Sequence, residues 1–285
     1  MSVGITHEER GHGPPLLFLH GIGGDADCWR PQLEAFAEGY RALAWNMPGY
    51  GSSASLPEMT FPALAEALLG LLDELDLEHV HLVGHSMGGM VAQEFAATRP
   101  GRLRSLVLVA TSAAFGRTNG DWQRDFLASR LGPLNQGRSI ADLAPGIVAG
   151  LVGEAPDPAG VAQAIRSMAK VPEATYRAAL QCLLTFDRRD ALRRIEVPTL
   201  LLAGERDQTA PPAVMERMAA RIPQARCLVL PRAGHLANLE QPTSFNQELS
   251  AFLQAPGAGV EGDGTDDGQA LRCVTRSRSK PRAGA

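Results

Sequence analysis

The chain lacks the features that mark membrane, secreted and nucleic-acid-binding proteins. The apolar stretch 68–77 carries Asp73, Glu74 and Asp76 and is too short to span a bilayer. Residues 1–15 lack the basic start and apolar run of a secretory signal. The net charge is −4, whereas nucleic-acid binding requires a clustered basic face. We therefore expect a cytoplasmic protein with no membrane partner and no nucleic-acid partner.

Paired cysteines are also missing. Cys28, Cys182, Cys227 and Cys273 are scattered along the chain, without the close pairs of a metal site or the spacing of a redox motif. We therefore expect four reduced thiols, no metal ion and no cofactor.

The hydrophobic pattern alternates between strands and helices over most of the chain. Strands are predicted at 16–19, 41–45, 79–83, 104–110, 197–204 and 225–230, with helices at 61–75 and 87–98. The helix at 61–75 has Thr60 as its cap and Pro62 in its first turn, where proline is tolerated. Such alternation predicts an α/β fold with a mostly parallel sheet flanked by helices.

The strand signal stops between residues 115 and 190, where predicted helices are broken by glycine and proline. We interpret 1–114 and 191–254 as two parts of one core, with 115–190 inserted as a helical cap over the carboxyl ends of the strands. Residues 255–285 have almost no apolar content and predict a disordered tail.

The segment 80–92 predicts a buried strand, a one-residue turn at Ser86 and then a helix. Such a turn strains the backbone of its central residue, and side chains at the flanking Gly84 and Gly88 would collide with the crossing strand and helix. The pattern Gly-x-Ser-x-Gly alone carries a risk of chance matches. Its strand-turn-helix context indicates that Ser86 is a nucleophile.

A serine hydroxyl is a weak nucleophile at neutral pH and needs a histidine and an orienting acid. Asp207 and His235 each follow one of the last two predicted strands. We interpret Asp207 as the acid and His235 as the base of a triad with Ser86. Glu205 is the reserve candidate for the acid, because residues two apart share a side of an extended segment.

A glycine-rich loop, 20–24, follows the predicted strand 16–19. Acyl transfer needs two preorganised donors where the carbonyl oxygen becomes negative. We predict that the backbone amides of Ile22 and Met87 form this oxyanion hole. His20 is interpreted as a structural residue that pins the loop.

With the order Ser86, Asp207, His235 and these loops, the chain resembles the α/β-hydrolase fold superfamily from Leu16 to about Leu253. The segment 45–53 resembles the family's turn after the next strand, with Asn46 in place of the usual aspartate. That departure concerns a structural turn and not the triad. The resemblance implies an α/β-hydrolase fold, with a mostly parallel twisted sheet and an inserted helical cap.

The loop 234–242 resembles the histidine loop of hydrolases in ring-cleavage pathways, and the motifs are most similar to 3-oxoadipate enol-lactonase-like hydrolases of aromatic catabolism. This implies a cofactor-free serine hydrolase that cleaves a small carboxylic ester or lactone through an acyl-enzyme on Ser86. The alternatives are a carbon–carbon bond hydrolase of meta-cleavage products and a non-catalytic ligand-binding member of the fold. The sequence leaves the oligomeric state open.

Substrate specificity is expected to come from the cap. We predict Phe115, Trp122, Phe126 and Phe186 as pocket residues, although aromatic residues also serve ordinary packing. Arginines in the same region offer bidentate hydrogen bonds to a carboxylate. The pattern does not show which of them faces inward: Arg117, Arg124, Arg130, Arg166, Arg188 or Arg189.

Overall fold

The computed structural model describes residues 4–116, 120–255 and 274–275, and its centre is a twisted sheet. The strands are β1 (His7–Arg10), β2 (Pro15–Leu19), β3 (Arg41–Trp45), β4 (Val80–His85), β5 (Leu103–Val109), β6 (Thr199–Gly204), β7 (Ala225–Leu230) and β8 (Val274–Thr275). Their order across the sheet is β1-β3-β2-β4-β5-β6-β7-β8. Only β1 is antiparallel to its neighbour. The predicted α/β class with a mostly parallel sheet is confirmed.

Helices connect the strands. They are α1 (Arg30–Phe36), α2 (Phe61–Glu74), α3 (Met87–Thr98), α4 (Gly120–Asn135), α5 (Ile140–Ala149), α6 (Pro158–Ala169), α7 (Glu173–Leu183), α8 (Pro212–Ala219), α9 (Ala237–Glu240) and α10 (Pro242–Leu253). At the start of α2 the predicted cap is present, since the Thr60 hydroxyl accepts the Ala63 N–H at 3.2 Å. No helix in the described part of the chain has the length and apolarity needed to cross a membrane.

The sheet is buried on both faces. Side chains of successive strand residues point to opposite faces, so each face has its own apolar cluster. In β2, Leu17 and Leu19 belong to the apolar cluster that includes α2 and α3. Leu16 and Phe18 belong to the cluster on the other face, which includes α1 and α10. Complete burial of one such side chain contributes about 2 kcal/mol, so a register slip of one residue would be costly at every central strand.

The order of the strands places a crevice above β2 and β4. The chain passes from β2 to β3 on one side and then returns to β4 on the other, with Leu19 opposite Gly84. In open α/β sheets, ligands bind at such a reversal, outside the carboxyl ends of the strands. The loop after β2 and the turn after β4 therefore meet at the place where a ligand site is expected.

Some elements differ from the sequence-based expectations. β1 and α1 were not predicted, and β4 extends to His85 instead of ending at residue 83. Helices α4–α7 lie between β5 and β6 in the chain, and the division into core and cap at residues 115 and 190 stays a prediction. The expected disordered tail lies outside the described residues, apart from Ala255 and from Val274–Thr275, where strand β8 replaces the expected disorder.

The cysteines divide into two groups. Cys28 and Cys182 are free and buried, and burial raises the pKa of each thiol to about 12. Cys227 is disulfide-bonded, so the prediction of a reduced thiol is wrong for this residue. A pairing between cysteines that are far apart in the sequence leaves no spacing pattern from which to predict it. The prediction for Cys273 lies outside the described residues.

Replacing Gly88 by alanine is expected to lower the free energy of unfolding by about 3 kcal/mol, the upper end for overpacking. The added Cβ would lie 2.6 Å from the His20 carbonyl oxygen and even closer to that of Leu19, and neither backbone group is free to move. Urea-induced unfolding measures the change.

Gly70→Ala in α2 is the matched control. Nothing lies within 4 Å of its added Cβ, and alanine is favoured over glycine inside a helix by about 1 kcal/mol. Wild-type stability of the Gly88→Ala variant would contradict the close packing of α3 on β2.

Candidate active site

Ser86 occupies the one-residue turn between β4 and α3. Its backbone has φ 53° and ψ −117°, in the positive-φ region that L-residues avoid. A Cβ on Gly84 would lie 2.5 Å from the Gly88 carbonyl oxygen, so glycine is required where strand and helix cross. The side chain of Ser86 is thereby held at the carboxyl edge of the sheet, partly exposed to the crevice.

Neighbouring groups keep this strained turn in place. A backbone in an unfavourable φ/ψ region costs about 1–3 kcal/mol and persists only when its surroundings determine it. The Ser86 N–H donates to the Val109 carbonyl at 2.9 Å. The Thr111 hydroxyl donates to the Ser86 carbonyl at 2.8 Å. Val109 is the last residue of β5 and Thr111 lies two residues beyond it, so the end of the strand beside β4 and the segment after it fix both peptide groups of the serine.

The structure brings the three predicted triad residues together from separate strands. His235 Nε2 lies 3.0 Å from Ser86 Oγ, and His235 Nδ1 lies 2.8 Å from Asp207 Oδ2. His235 and Asp207 are 4% and 1% exposed. The reserve acid, Glu205, instead accepts the Arg232 N–H at 2.8 Å and is not hydrogen-bonded to the histidine. The result is one continuous line of hydrogen bonds from a buried carboxylate to a serine hydroxyl.

Asp207 is ionised despite its burial. Burial would raise the pKa of this carboxyl, but the charge and hydrogen bond of His235 and the N–H groups of Ala210 and Thr209 lower it below its ordinary value. Those amides lie 3.0 and 2.7 Å from Oδ1. An ionised carboxylate only accepts hydrogen bonds, so the proton sits on His235 Nδ1. Nε2, on the opposite side of the ring, faces the Ser86 hydroxyl and is placed to accept its proton.

Glu240 holds the loop that carries His235. Its carboxylate is 3% exposed and accepts the Gly234 N–H at 3.0 Å and the Leu236 N–H at 3.0 Å, the amides on either side of the histidine. It also accepts the Gly153 N–H at 2.6 Å, from the segment between α5 and α6. Glu240 lies within the loop 234–242, but no sequence motif assigns it a role. A buried carboxylate saturated by amides is a tertiary feature that the sequence does not display.

His85 also contacts this loop. Its Nε2 lies 2.8 Å from the His235 carbonyl oxygen, and since a carbonyl only accepts, Nε2 carries the proton. Burial lowers the pKa of His85 to about 3, so the ring is neutral. The sequence suggests only that His85 lies next to the nucleophile and points away from the turn. Its contact shows that it links the serine turn to the backbone of the histidine.

The glycine-rich loop lies against Ser86. A Cβ on Gly21 would lie 3.0 Å from the Ser86 Cβ. His20 Nδ1 donates to the Gly21 carbonyl at 2.7 Å, and its Nε2 accepts the Met47 N–H at 3.0 Å. The Tyr50 hydroxyl donates to the Ile22 carbonyl at 2.8 Å. Hydrogen bonds from the turn after β3 therefore hold the loop beside the serine.

The two predicted oxyanion-hole donors are adjacent to this point. Ile22 lies in the loop, and Met87 is the first residue of α3. Among the described residues, neither backbone N–H donates to an acceptor. Unpaired amides at the start of a helix and in a tight loop are the donors that such a site requires.

A cavity of about 940 Å³ opens above Ser86 and His235. Three of the four aromatic residues expected in a substrate pocket line it, Phe115, Trp122 and Phe126, and their rings contact one another with centroids 5.0–5.6 Å apart. Phe186 does not line it. Its ring packs on Phe61, with 4.5 Å between centroids, inside the larger apolar cluster. The spacing in the sequence could not distinguish these two environments.

The predicted arginines have different surroundings. Arg188 pairs with the buried Glu94, and Arg124 pairs with Asp121 on the surface. Arg166 donates to Gln163. Arg130 and Arg189 line the cavity, joined by two arginines outside the predicted cap: Arg217 of α8 and Arg221 just after it. Arg117 lies outside the described residues. Within the described ranges, no group of three or more His, Cys, Asp or Glu side chains is arranged to hold a metal ion.

Glu240→Gln is expected to lower the free energy of unfolding by about 2–3 kcal/mol, because the amide nitrogen would face a backbone N–H that now donates to the carboxylate. Amide hydrogen exchange at Gly234 and Leu236 should accelerate together with this loss. The exposed Glu216→Gln variant is the control and should change neither quantity. Unchanged exchange in Glu240→Gln would refute the role of this carboxylate in holding the loop.

The neutral state of His20 predicts a pH dependence of stability. Burial lowers its pKa from 6.5 to about 4, so the unfolded chain binds a proton there at a higher pH than the folded chain. The contribution is complete above pH 6.5 and is lost as pH falls towards 4, at about 1.4 kcal/mol per pH unit. Urea unfolding should therefore show the gap between wild type and His20→Gln shrinking by about 2 kcal/mol from pH 8 to pH 5. A constant gap would contradict the neutral buried ring.

Comparisons with known proteins identify the family of the chain. A family model described as the alpha/beta hydrolase fold matches residues 14–242. The chain is 30% identical to 3-oxoadipate enol-lactonase 1 of Acinetobacter baylyi, over 90% of this chain and 93% of that protein. It is 34% identical to the dihydrolipoyllysine-residue acetyltransferase component of the acetoin cleaving system of Pseudomonas putida, over 85% of this chain and only 64% of that relative's length.

A solved structure with the same architecture is a malate-bound thermophilic esterase from Thermogutta terrifontis. It has a TM-score of 0.80 and 30% sequence identity, and the match covers 88% of this chain and 93% of the esterase. Since the family model and these relatives span most of the sequence and the structure has the corresponding sheet, the chain belongs to the alpha/beta hydrolase fold family and is a hydrolase.

Proposed function

We propose that the protein is a serine hydrolase that cleaves a small carboxylic ester or lactone through an acyl-enzyme on Ser86, without a cofactor. The observation that carries the proposal is the line of hydrogen bonds from Asp207 through His235 to Ser86, which ends at the floor of the cavity. Relatives named as an enol-lactonase and an esterase support the type of bond.

The first step is attack by Ser86 Oγ on the carbonyl carbon of the substrate. His235 Nε2, 3.0 Å away, takes the hydroxyl proton as the carbon–oxygen bond forms. The imidazolium is stabilised by the ionised Asp207, which stays deprotonated throughout. The one-residue turn between β4 and α3 already holds Ser86 in the attacking position. No backbone rearrangement is therefore needed before the reaction.

A negative charge develops on the carbonyl oxygen during this attack. We assign its stabilisation to hydrogen bonds from the backbone N–H groups of Ile22 and Met87. One such donor contributes about 3–4 kcal/mol to the stability of a tetrahedral intermediate. The hydrogen bonds of His20 and Tyr50 to the loop carbonyls keep the Ile22 peptide in one orientation. Preorganised donors are effective because they need no reorientation when the charge forms.

Collapse of the intermediate breaks the bond to the leaving oxygen, which receives the proton from His235 Nε2. In a lactone, this oxygen stays tethered to the acyl group. A water molecule then attacks the acyl carbon while His235 takes one of its protons, and the same imidazole returns a proton to Ser86 Oγ as the acid leaves. The steps restore the starting enzyme, so one base serves both halves of the reaction.

We assign the helices α4–α7 the role of a cap over this site. Phe115, Trp122 and Phe126 form an aromatic wall, and Met168 of α6 approaches Gly23 of the oxyanion loop. The cap is also attached to the loop by polar contacts, since the Ser167 hydroxyl donates to Asp25 at 2.6 Å. Aromatic side chains over a polar floor suit a substrate that has one reacting carbonyl group and a short carbon chain.

Ser86→Ala is expected to reduce kcat for para-nitrophenyl acetate and butyrate by about 10⁴-fold or more, because no other nucleophile remains beside His235. Ser250→Ala, a serine of α10 away from the cavity, is the matched control and should retain the wild-type rate. An enol-lactone substrate assayed alongside separates lactonase from esterase.

Full activity of Ser86→Ala would refute the serine mechanism. A wild-type enzyme inactive on all of these compounds would instead favour carbon–carbon cleavage or ligand binding without turnover.

A further inference from the structure

The charge of the cavity wall is opposite in sign to that of the whole chain. The sequence has 31 acidic and 27 basic Asp, Glu, Lys and Arg residues. Yet among the described residues that line the cavity none is Asp or Glu, and four are arginines. They are Arg130, Arg189, Arg217 and Arg221. A cavity wall that carries arginines and no acidic side chain attracts anions.

The four arginines are not equivalent. Arg189 is already neutralised, because its guanidinium forms hydrogen bonds of 3.0 and 2.5 Å with Asp187. Arg217 of α8 and Arg221, just after that helix, are exposed to solvent. Arg130 of α4 is half-buried, and its guanidinium lies over the Phe126 ring, 5.8 Å from the centroid. No carboxylate in the described ranges forms an ion pair with it. Arg130 is therefore a partly desolvated cation in the cavity with an open set of donors.

Tyr176 supplies a second donor beside Arg130. It lines the same cavity, is 2% exposed, and its hydroxyl has no hydrogen-bond partner among the described residues. Burial raises the pKa of this phenol, with Arg130 acting in the opposite direction, so the group is a neutral O–H. The hydroxyl oxygen is not among the buried side-chain atoms that lack a partner, so it is open to the cavity and can donate to a bound ligand.

The position of Tyr176 connects this pair to the reacting end of the cavity. Thr175, the preceding residue of α7, donates to the Gly49 carbonyl at 3.0 Å. Gly49 adjoins Tyr50, whose hydroxyl holds the Ile22 carbonyl of the oxyanion loop. Tyr176 is thus linked through its neighbour Thr175 and the turn after β3 to the loop that carries Ile22.

We propose that the substrate of Ser86 carries a carboxylate, separate from the bond that is cleaved, which the Arg130 guanidinium and the Tyr176 hydroxyl bind. The substrate class is a half-ester of a dicarboxylic acid, or a lactone bearing a free acid group. A guanidinium binds a carboxylate through two parallel N–H···O hydrogen bonds, and the phenol donates a third. This inference rests on the proposed function of the cavity and makes Arg130 a specificity-determining residue.

The test compares two esters that differ only in charge: mono-para-nitrophenyl adipate and its methyl-capped form, para-nitrophenyl methyl adipate. The wild type is expected to have a kcat/KM at least about 10-fold higher for the acid, mainly through KM, since a hydrogen-bonded charge contributes equally before and during the reaction. Arg130→Met should lower the value for the acid by about 10- to 100-fold and leave the methyl ester within about twofold. Arg130→Lys should retain part of the preference, and Tyr176→Phe should lose about tenfold on the acid alone.

Arg124→Met is the matched control, since Arg124 lies on the same helix but pairs with Asp121 at the surface. Arg124→Met should change kcat/KM for neither the acid nor its methyl-capped form. Equal kcat/KM for the two esters in the wild type, or an equal loss on both in Arg130→Met, would overturn the proposal while leaving the serine mechanism intact.

A binding measurement separates the two proposals if neither ester is turned over. Isothermal titration calorimetry of Ser86→Ala with monomethyl adipate, and with dimethyl adipate as the neutral comparison, needs no catalysis. Binding of the acid alone, lost in the Ser86→Ala/Arg130→Met double variant, supports the carboxylate site even when the proposed reaction fails. Equal binding of both compounds, or binding of neither, overturns it.

Discussion

The close approach of α3 to β2 and β4 is the constraint on which the rest of the site depends. Backbone atoms of Leu19, His20 and Gly88 occupy the space where a side chain at Gly84 or Gly88 would lie. This approach forces the chain to turn at a single residue, with Ser86 at positive φ. It also brings the end of β2 against the serine, so that one packing contact places both the proposed nucleophile and the oxyanion loop. Strain at the turn is tolerated because the surrounding strands leave no alternative.

Buried polar groups then set the position of the histidine. Burying an isolated carboxylate is costly, yet Asp207 and Glu240 are both buried, and each has several hydrogen-bond donors. Asp207 holds the imidazole ring, whereas Glu240 holds the backbone on both sides of it. His85 adds a third contact at the His235 carbonyl. The imidazole is therefore oriented through its side chain and its main chain independently, which suits a group that must accept and return a proton without moving.

The need of buried charged groups for hydrogen-bond partners also explains the contrast between the floor and the wall of the cavity. On the floor every described charged group has a partner, and its ionisation state follows from that partner. On the wall, Arg130 and Tyr176 have donors in excess, while acidic side chains are absent among the lining residues that the structure describes. A site whose polar groups all have hydrogen-bond partners is suited to moving protons. A site with unused hydrogen-bond donors is suited to binding an anion. The proposed chemistry therefore belongs to the ends of the core strands, whereas the proposed carboxylate site belongs to helices α4 and α7.

Local patterns are enough to predict the α/β class, the turn at Ser86 and the order Ser86, Asp207, His235. Strand and helix periodicity, glycine at a crossing and polar residues after strands are all properties of short segments. Only the tertiary structure decides that Glu240 reaches Gly153, that Phe186 packs in the core and that Cys227 is disulfide-bonded. It also decides which arginine keeps a free guanidinium, because Arg188 meets Glu94 from a segment 94 residues away. Such partners are distant in sequence, and a pattern within one segment carries no information about the distance to another.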